Sequence, residues 1–190
     1  MELKRIAVYC GASKGNNPVY EQAAIELGNW MIKHNYELVY GGGKAGLMGL
    51  IADTVLKQNG VVTGVIPTFL KDRELAHGGL KELIVVSNMH ERKAKMIELA
   101  NCYIALPGGP GTLEEITEVI SWGRIGQHKN PCIFYNVNGY YDLLEQFYDK
   151  MVAEDFLTQT DRDKILISSD FTEMDAFIES YVPPNIRKYN

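Results

Sequence analysis

Short apolar runs alternate with longer amphipathic stretches along almost the whole chain, and few folds accommodate that order. The runs at 6–10, 38–40, 61–66, 83–86, 102–106, 131–135 and 165–167 read as strands. Between them the apolar residues recur at helical spacing. One helix opens at Asn17-Pro18, with Asn at the cap and Pro at its first position, and carries Ala23, Ala24, Leu27, Trp30 and Met31. A second follows the turn ending at Gly46, runs through Leu50, Ile51, Thr54 and Val55 and is stopped by Gly60, and a third carries Met89, Lys93, Met96, Ile97 and Ala100. Others are predicted at 112–123, about 140–153 and 172–181, while polar residues 71–80 read as a loop. Strands joined by helices require crossover connections, hence a mostly parallel sheet covered on both faces. The predicted fold is α/β, a Rossmann-like three-layer sandwich. Residues 1–182 read as one domain and 183–190, from Pro183-Pro184 onward, as a tail. Ligands of such sheets bind beyond the carboxyl ends of the strands.

Composition narrows the function classes. The 190 residues carry a net charge of -5, which builds no broad basic surface for nucleic acid. No apolar run is long enough for a membrane span, and no signal-peptide core precedes Ile6. Cys10, Cys102 and Cys132 lie far apart in or beside apolar runs, a pattern that fits a reducing, cytoplasmic setting better than a disulfide scaffold. No cluster has zinc-ligand spacing. A small molecule is the expected partner.

The chemistry concentrates in residues 107–115, Pro-Gly-Gly-Pro-Gly-Thr-Leu-Glu-Glu, which follow a strand and lead into a helix expected to begin near Thr112. Backbone N–H groups at such a positive helix end can hold a phosphate, and Glu115 on the first turn stands beside them. The bland alternative is a tight turn in which Gly109 or Gly111 supplies a positive φ and Thr112 with Glu115 forms a capping box. A second cluster, Gly41-x-Gly43-x-x-Gly46, matches a dinucleotide fingerprint in form. It follows the second strand rather than the first, however, and the next strand ends Gly64-Val65-Ile66-Pro67 with no carboxylate for a ribose diol. Lys44 is followed by Ala45, so it is no Walker A loop. It reads as a second close-approach turn facing the same crevice.

Met89-His90-Glu91-Arg92-Lys93 opens a helix with cations near its positive end, a conflict that a nearby phosphate or carboxylate would remove. Arg92 offers a rigid fork of donors for such a group; the alternative is that Arg92 and Lys93 are solvated. His90 is a candidate acid or base, or a surface residue. In the 112–123 helix, Leu113, Ile116, Val119 and Ile120 recur with a core period, leaving Glu115 and Glu118 on another face and Glu114 toward solvent. An arginine, one or two carboxylates and anion-binding turns fit hydrolysis at a phosphorylated sugar, with the carboxylate facing an oxocarbenium-like centre or orienting water.

The paired motifs at 89–93 and 107–115, with Cys10-Gly-Ala-Ser13 and Tyr40-Gly-Gly-Gly-Lys-Ala-Gly46, resemble the LOG ("lonely guy") family over nearly the whole chain. These are cytokinin riboside 5'-monophosphate phosphoribohydrolases, many named lysine decarboxylases. The resemblance implies hydrolysis of the N-glycosidic bond of AMP-like or N6-prenylated nucleotides to free base and ribose 5-phosphate, without metal or redox cofactor. It implies Arg92 and Glu115 as the catalytic pair and Gly108, Gly109, Gly111 and Thr112 around the phosphate. Ser13, Gly42, Gly43, Met89, Lys93 and Glu118 would line the nucleotide site. It also implies a homodimer, to which Trp30, Met31, Trp122, Tyr140-Tyr141 and Phe147-Tyr148 could contribute an interface or simply core. Two alternatives stay open: an AMP-binding regulator without turnover, and an enzyme of a different reaction, such as an NAD-dependent oxidoreductase or a phosphate-sugar transferase. No lysine sits in a recognisable Schiff-base setting for decarboxylation.

Overall fold

The computed structural model describes residues 5–73, 75–80 and 82–186; residues 187–190 of the expected tail lie outside the described part. Seven strands form one sheet: β1 (Arg5–Tyr9), β2 (Glu37–Tyr40), β3 (Val62–Pro67), β4 (Glu82–Val86), β5 (Cys102–Ala105), β6 (Cys132–Tyr135) and β7 (Ile165–Ser168). Their order is β4-β3-β2-β1-β5-β6-β7 and every pairing is parallel. The helices are α1 (Pro18–Lys33), α2 (Gly46–Lys57), α3 (Thr68–Lys71), α4 (Met89–Leu99), α5 (Pro110–Arg124), α6 (Asp142–Ala153), α7 (Gln159–Arg162) and α8 (Phe171–Ser180).

Alternate residues of each strand feed the two faces. Ile6, Val8 and Cys10 pack with α1, α2 and α8, whereas Ala7 and Tyr9 pack with α4, α5 and α6. Three layers result, as the alternation predicts. Single-turn helices α3 and α7 were not legible, because one turn gives no period to detect. Residues 75–80 do form a loop, with a bridge between Ala76 and Gly43. Asn17 caps α1 as expected, its side chain accepting from Val19 N at 3.1 Å.

The chain winds outward from β1 to β4, then crosses back to place β5 on the other side of β1. The switch point therefore lies between β1 and β5, where the Gly11 and Pro107 turns meet through Gly11 N–H to Pro107 O at 3.1 Å. Among the described residues no helix is long and apolar enough to cross a membrane.

Candidate functional site

Helix α5 starts two residues earlier than its composition suggests. Gly109 is its N-cap and Pro110 its first residue, with no side-chain cap. Thr112 is thus the third helical residue and Glu115 the sixth, in the second turn. The alternative Thr112–Glu115 capping box does not form: the cap is Gly109, which has no side chain, and Thr112 lies inside the helix rather than at its cap. Nor do Gly109 and Gly111 provide positive φ, since neither is among the residues in that region. A Cβ at either would meet nothing within 4 Å. Neither strain nor crowding explains these two glycines, and the lack of a side chain leaves the first-turn N–H groups open to approach. Gly108 differs: a Cβ there would lie 2.2 Å from Thr112 Oγ1.

Behind this loop Arg92 and Glu115 meet. Arg92 Nη1 donates to Glu115 Oε1 at 2.7 Å and its Nε to Val65 O at 3.1 Å. Both are buried, at 8% and 7% exposure, so the solvated reading of Arg92 is overturned. A Cβ on Gly41 would lie 1.8 Å from Arg92 Nη2, so any side chain there would displace the guanidinium from its present seat. Beside the pair runs a second rung between α4 and α5. Lys93 Nζ lies 2.6 Å from Glu114 Oε1 and 3.1 Å from Glu118 Oε2. Glu114 itself is exposed, as expected, yet it is engaged. Carboxylates of α5 thus answer the cations at the start of α4. That helix end is also capped from within, Asn88 accepting from Glu91 N and Glu91 from Ser87 N. Met89 is half-buried there, and His90 is exposed.

Burial pushes the Glu115 carboxyl up, more than the adjacent Arg92 and the nearby Lys93 pull it down. For Lys93 burial works against the charge, but hydrogen bonds to Glu114 and Glu118 outweigh it and the net shift is upward. A buried ion pair is poor evidence of stability, because removing both charges from water offsets most of their attraction. Its place at the carboxyl end of the sheet marks it as a functional candidate.

The second glycine turn is less open than its sequence suggests. Lys44 N donates to Leu75 O and His77 N to Gly42 O, both at 2.9 Å, so residues 75–77 lie as a strap along it. Leu47 N, in the first turn of α2, donates to Gly11 O at 3.1 Å. The close approaches of this turn are to protein: Arg92 at Gly41 and Ala12 at Gly46. Gly42 and Gly43 are buried, and the pattern is not a second free anion cradle.

A cavity of about 400 Å³ opens over the β1–β5 switch point, lined among others by Ser13, Lys14, Tyr20, Gly108, Gly109 and Tyr140. It gathers Ser13 and the glycine loop as expected, whereas Arg92 and Glu115 lie outside its wall. Lys14, Tyr20 and Tyr140 were missed. Lys14 could have been named, since it follows Ser13 in a turn on the ligand-binding edge. Tyr20 and Tyr140 carry no local signal: one sits in the first turn of α1, the other just before α6.

Residues 48–177 match the family model described as "Possible lysine decarboxylase". The chain is 46% identical over 182 residues to the cytokinin riboside 5'-monophosphate phosphoribohydrolase LOG1 of Arabidopsis thaliana, covering 96% of this chain and 85% of that one. It is 45% identical over 181 residues to the enzyme LOG of Oryza sativa subsp. japonica, covering 95% of this chain and 75% of the other. A molybdenum cofactor binding protein from Rippkaea orientalis shares the fold, with a TM-score of 0.70 at 20% identity over 95% of this chain and 98% of that one. On the family model and on relatives that match it almost from end to end, the chain belongs to the LOG family.

Proposed function

We propose that this protein hydrolyses the N-glycosidic bond of cytokinin riboside 5'-monophosphates, AMP or both, releasing free base and ribose 5-phosphate. The observation that carries the reading is a buried Arg92–Glu115 pair directly behind a helix N-terminus whose glycines are open. In this reading the N–H groups of Gly109, Gly111 and Thr112 hold the 5'-phosphate, Gly108 gives the loop its turn, and Glu115 faces the positive charge that develops on the ribose as the base departs. Arg92 fixes the orientation of that carboxylate. Ser13 lines the nucleotide cavity, Gly42 and Gly43 shape the covered turn behind Arg92 rather than touching the nucleotide, half-buried Met89 opens the helix that carries Arg92, and Lys93 with Glu118 braces the helix pair beside it. The direct test is to incubate AMP and an N6-prenyl AMP with the protein and measure base and ribose 5-phosphate, which should appear in equal amounts.

The NAD-dependent alternative loses its main support, because the turn it relies on is covered by Arg92 and by residues 75–77. Decarboxylation through a Schiff base gains no support: Lys93, the buried lysine among the described residues, is held protonated by two carboxylates, and Lys14 at the cavity wall is paired with Glu21. A cytoplasmic location is supported by three buried free thiols.

Glu115 must be ionised to act, and its carboxyl is shifted up, so activity should fall as pH drops through a value above the ordinary glutamate range. Lys93→Met removes a charge that lowers that value and frees Glu114, which raises it. The acid limb of kcat/KM should therefore move to higher pH in the variant. A limb at the ordinary glutamate position, or one unmoved by the substitution, would contradict the assignment.

A homodimer is also proposed. Trp30, Met31, Tyr141 and Tyr148 are core residues and drop out as interface candidates, and Trp122 is half-buried. Tyr140 and Phe147 remain exposed, and Leu143, one turn before Phe147 on α6 and 79% exposed, joins them. Leu143 and Leu113 line a second cavity of about 430 Å³ that also touches Gly108 and Pro110. An apolar face this close to the loop suits a partner helix that helps close the site. Sedimentation at assay concentration should show a dimer, and Phe147→Glu should yield monomers of reduced activity. A fully active monomer would refute the shared site.

A further inference from the structure

The structure assigns Tyr140 as the residue that aims the glycine loop at its anion, an inference that rests on the phosphoribohydrolase reading above. Three successive carbonyls at the end of β5 are each bound by a donor from elsewhere. Tyr141 Oη donates to Leu106 O at 2.7 Å, Gly11 N to Pro107 O at 3.1 Å, and Tyr140 Oη to Gly108 O at 2.6 Å. In a trans peptide the C=O and the following N–H point in opposite directions. Tying the Gly108 carbonyl to Tyr140 therefore fixes where the Gly109 N–H points, and Gly109 is the N-cap of α5. Gly108 packs against Thr112 and Gly11, but beyond its chain neighbours nothing lies within 4 Å of where a Gly109 Cβ would be, which leaves the Tyr140 bond to set the tilt of the peptide between them.

Tyr140 is itself held from two sides. Its ring meets Tyr20 edge-on at 5.7 Å and Tyr141 at 5.0 Å. Asn136 Oδ1 accepts from Tyr141 N at 2.7 Å, which fixes the turn before α6. Tyr140 forms part of the wall of both cavities that flank the loop. It is nonetheless 44% exposed, so its hydroxyl is not needed to satisfy the core. The two neighbouring tyrosines thus differ: buried Tyr141 anchors the end of β5, and exposed Tyr140 sets the orientation of one peptide. Tyr140 acts through the loop and is a positioning residue.

Tyr140→Phe removes the hydroxyl and keeps the ring. The test is titration calorimetry of ribose 5-phosphate on wild type and variant, with steady-state kinetics on AMP and adenosine and a melting curve. The Kd for ribose 5-phosphate and the KM for AMP should each rise about tenfold, the scale of one hydrogen bond to a charged ligand. The kcat for AMP, the kcat/KM for adenosine and the Tm should stay close to wild type. Equal ribose 5-phosphate affinity in the two proteins would overturn the role of Tyr140 and leave the enzymatic reading intact. So would a loss shared equally by AMP and adenosine. A wild-type protein that neither binds ribose 5-phosphate nor prefers AMP to adenosine would overturn both.

Discussion

Glu115→Gln should lower kcat by about 10²–10³-fold with KM for the nucleotide nearly unchanged, the scale of removing one preorganised charge from a transition state. The amide keeps an oxygen to accept from Arg92 Nη1, so the geometry of the pair survives while the negative charge does not. A charge that faces a cation formed only as the bond breaks contributes little to ground-state binding. The capping-box reading would have made the same substitution a test of helix stability, but α5 is capped at Gly109 and Glu115 plays no part in it. The stability cost instead comes from Arg92, left charged and buried beside a neutral partner, which lowers Tm without unfolding the protein at assay temperature. Kinetics on protein shown to be folded separate the two effects. Turnover near that of the parent would remove Glu115 from the chemistry.

The second large effect concerns the 5'-phosphate. AMP should exceed adenosine in kcat/KM by about 10³-fold, the combined effect of two charge-assisted hydrogen bonds that hold the substrate by its phosphate. From the sequence, Arg92 is the natural phosphate ligand, and its removal would be expected to narrow that ratio. Its Nε and Nη1 are bound to Val65 O and Glu115, and its Nη2 lies against Gly41. The phosphate handle therefore falls to the glycine loop. Arg92→Ala should reduce turnover of both substrates together, because it leaves Glu115 buried without its cation and shifts that carboxyl further up. The AMP-to-adenosine ratio should persist in the variant. A ratio that collapses would return the phosphate to Arg92.

Much of this was legible because the sheet is parallel and doubly covered. Its strands are continuous apolar runs and its helices are long enough to show a period, so seven strands and six of the helices could be placed to within about two residues. The start of α5 was misplaced because Thr112 and Glu115 have the spacing of a capping box, while the true cap is a glycine with no side chain to announce it. Arg92 and Glu115 were paired through the family resemblance alone: they are brought together by two helices that flank β5, a tertiary contact with no local trace. The same holds for the strap at 75–77, which covers the second glycine turn, and for Tyr140, whose hydroxyl reaches a carbonyl 32 residues away. Pro110 and Asn17 show the opposite case, where a single residue at a helix start states its own role.

The central claim is turnover at the glycosidic bond, and a panel of nucleoside 5'-monophosphates assayed for free base tests it most directly. Wild-type protein should release adenine from AMP or the N6-substituted base from its prenylated counterpart, with one ribose 5-phosphate per base, and Glu115→Gln should release almost none. Tight binding of these nucleotides with no base released by the wild type would contradict the claim and identify the protein as a nucleotide-binding module without catalysis.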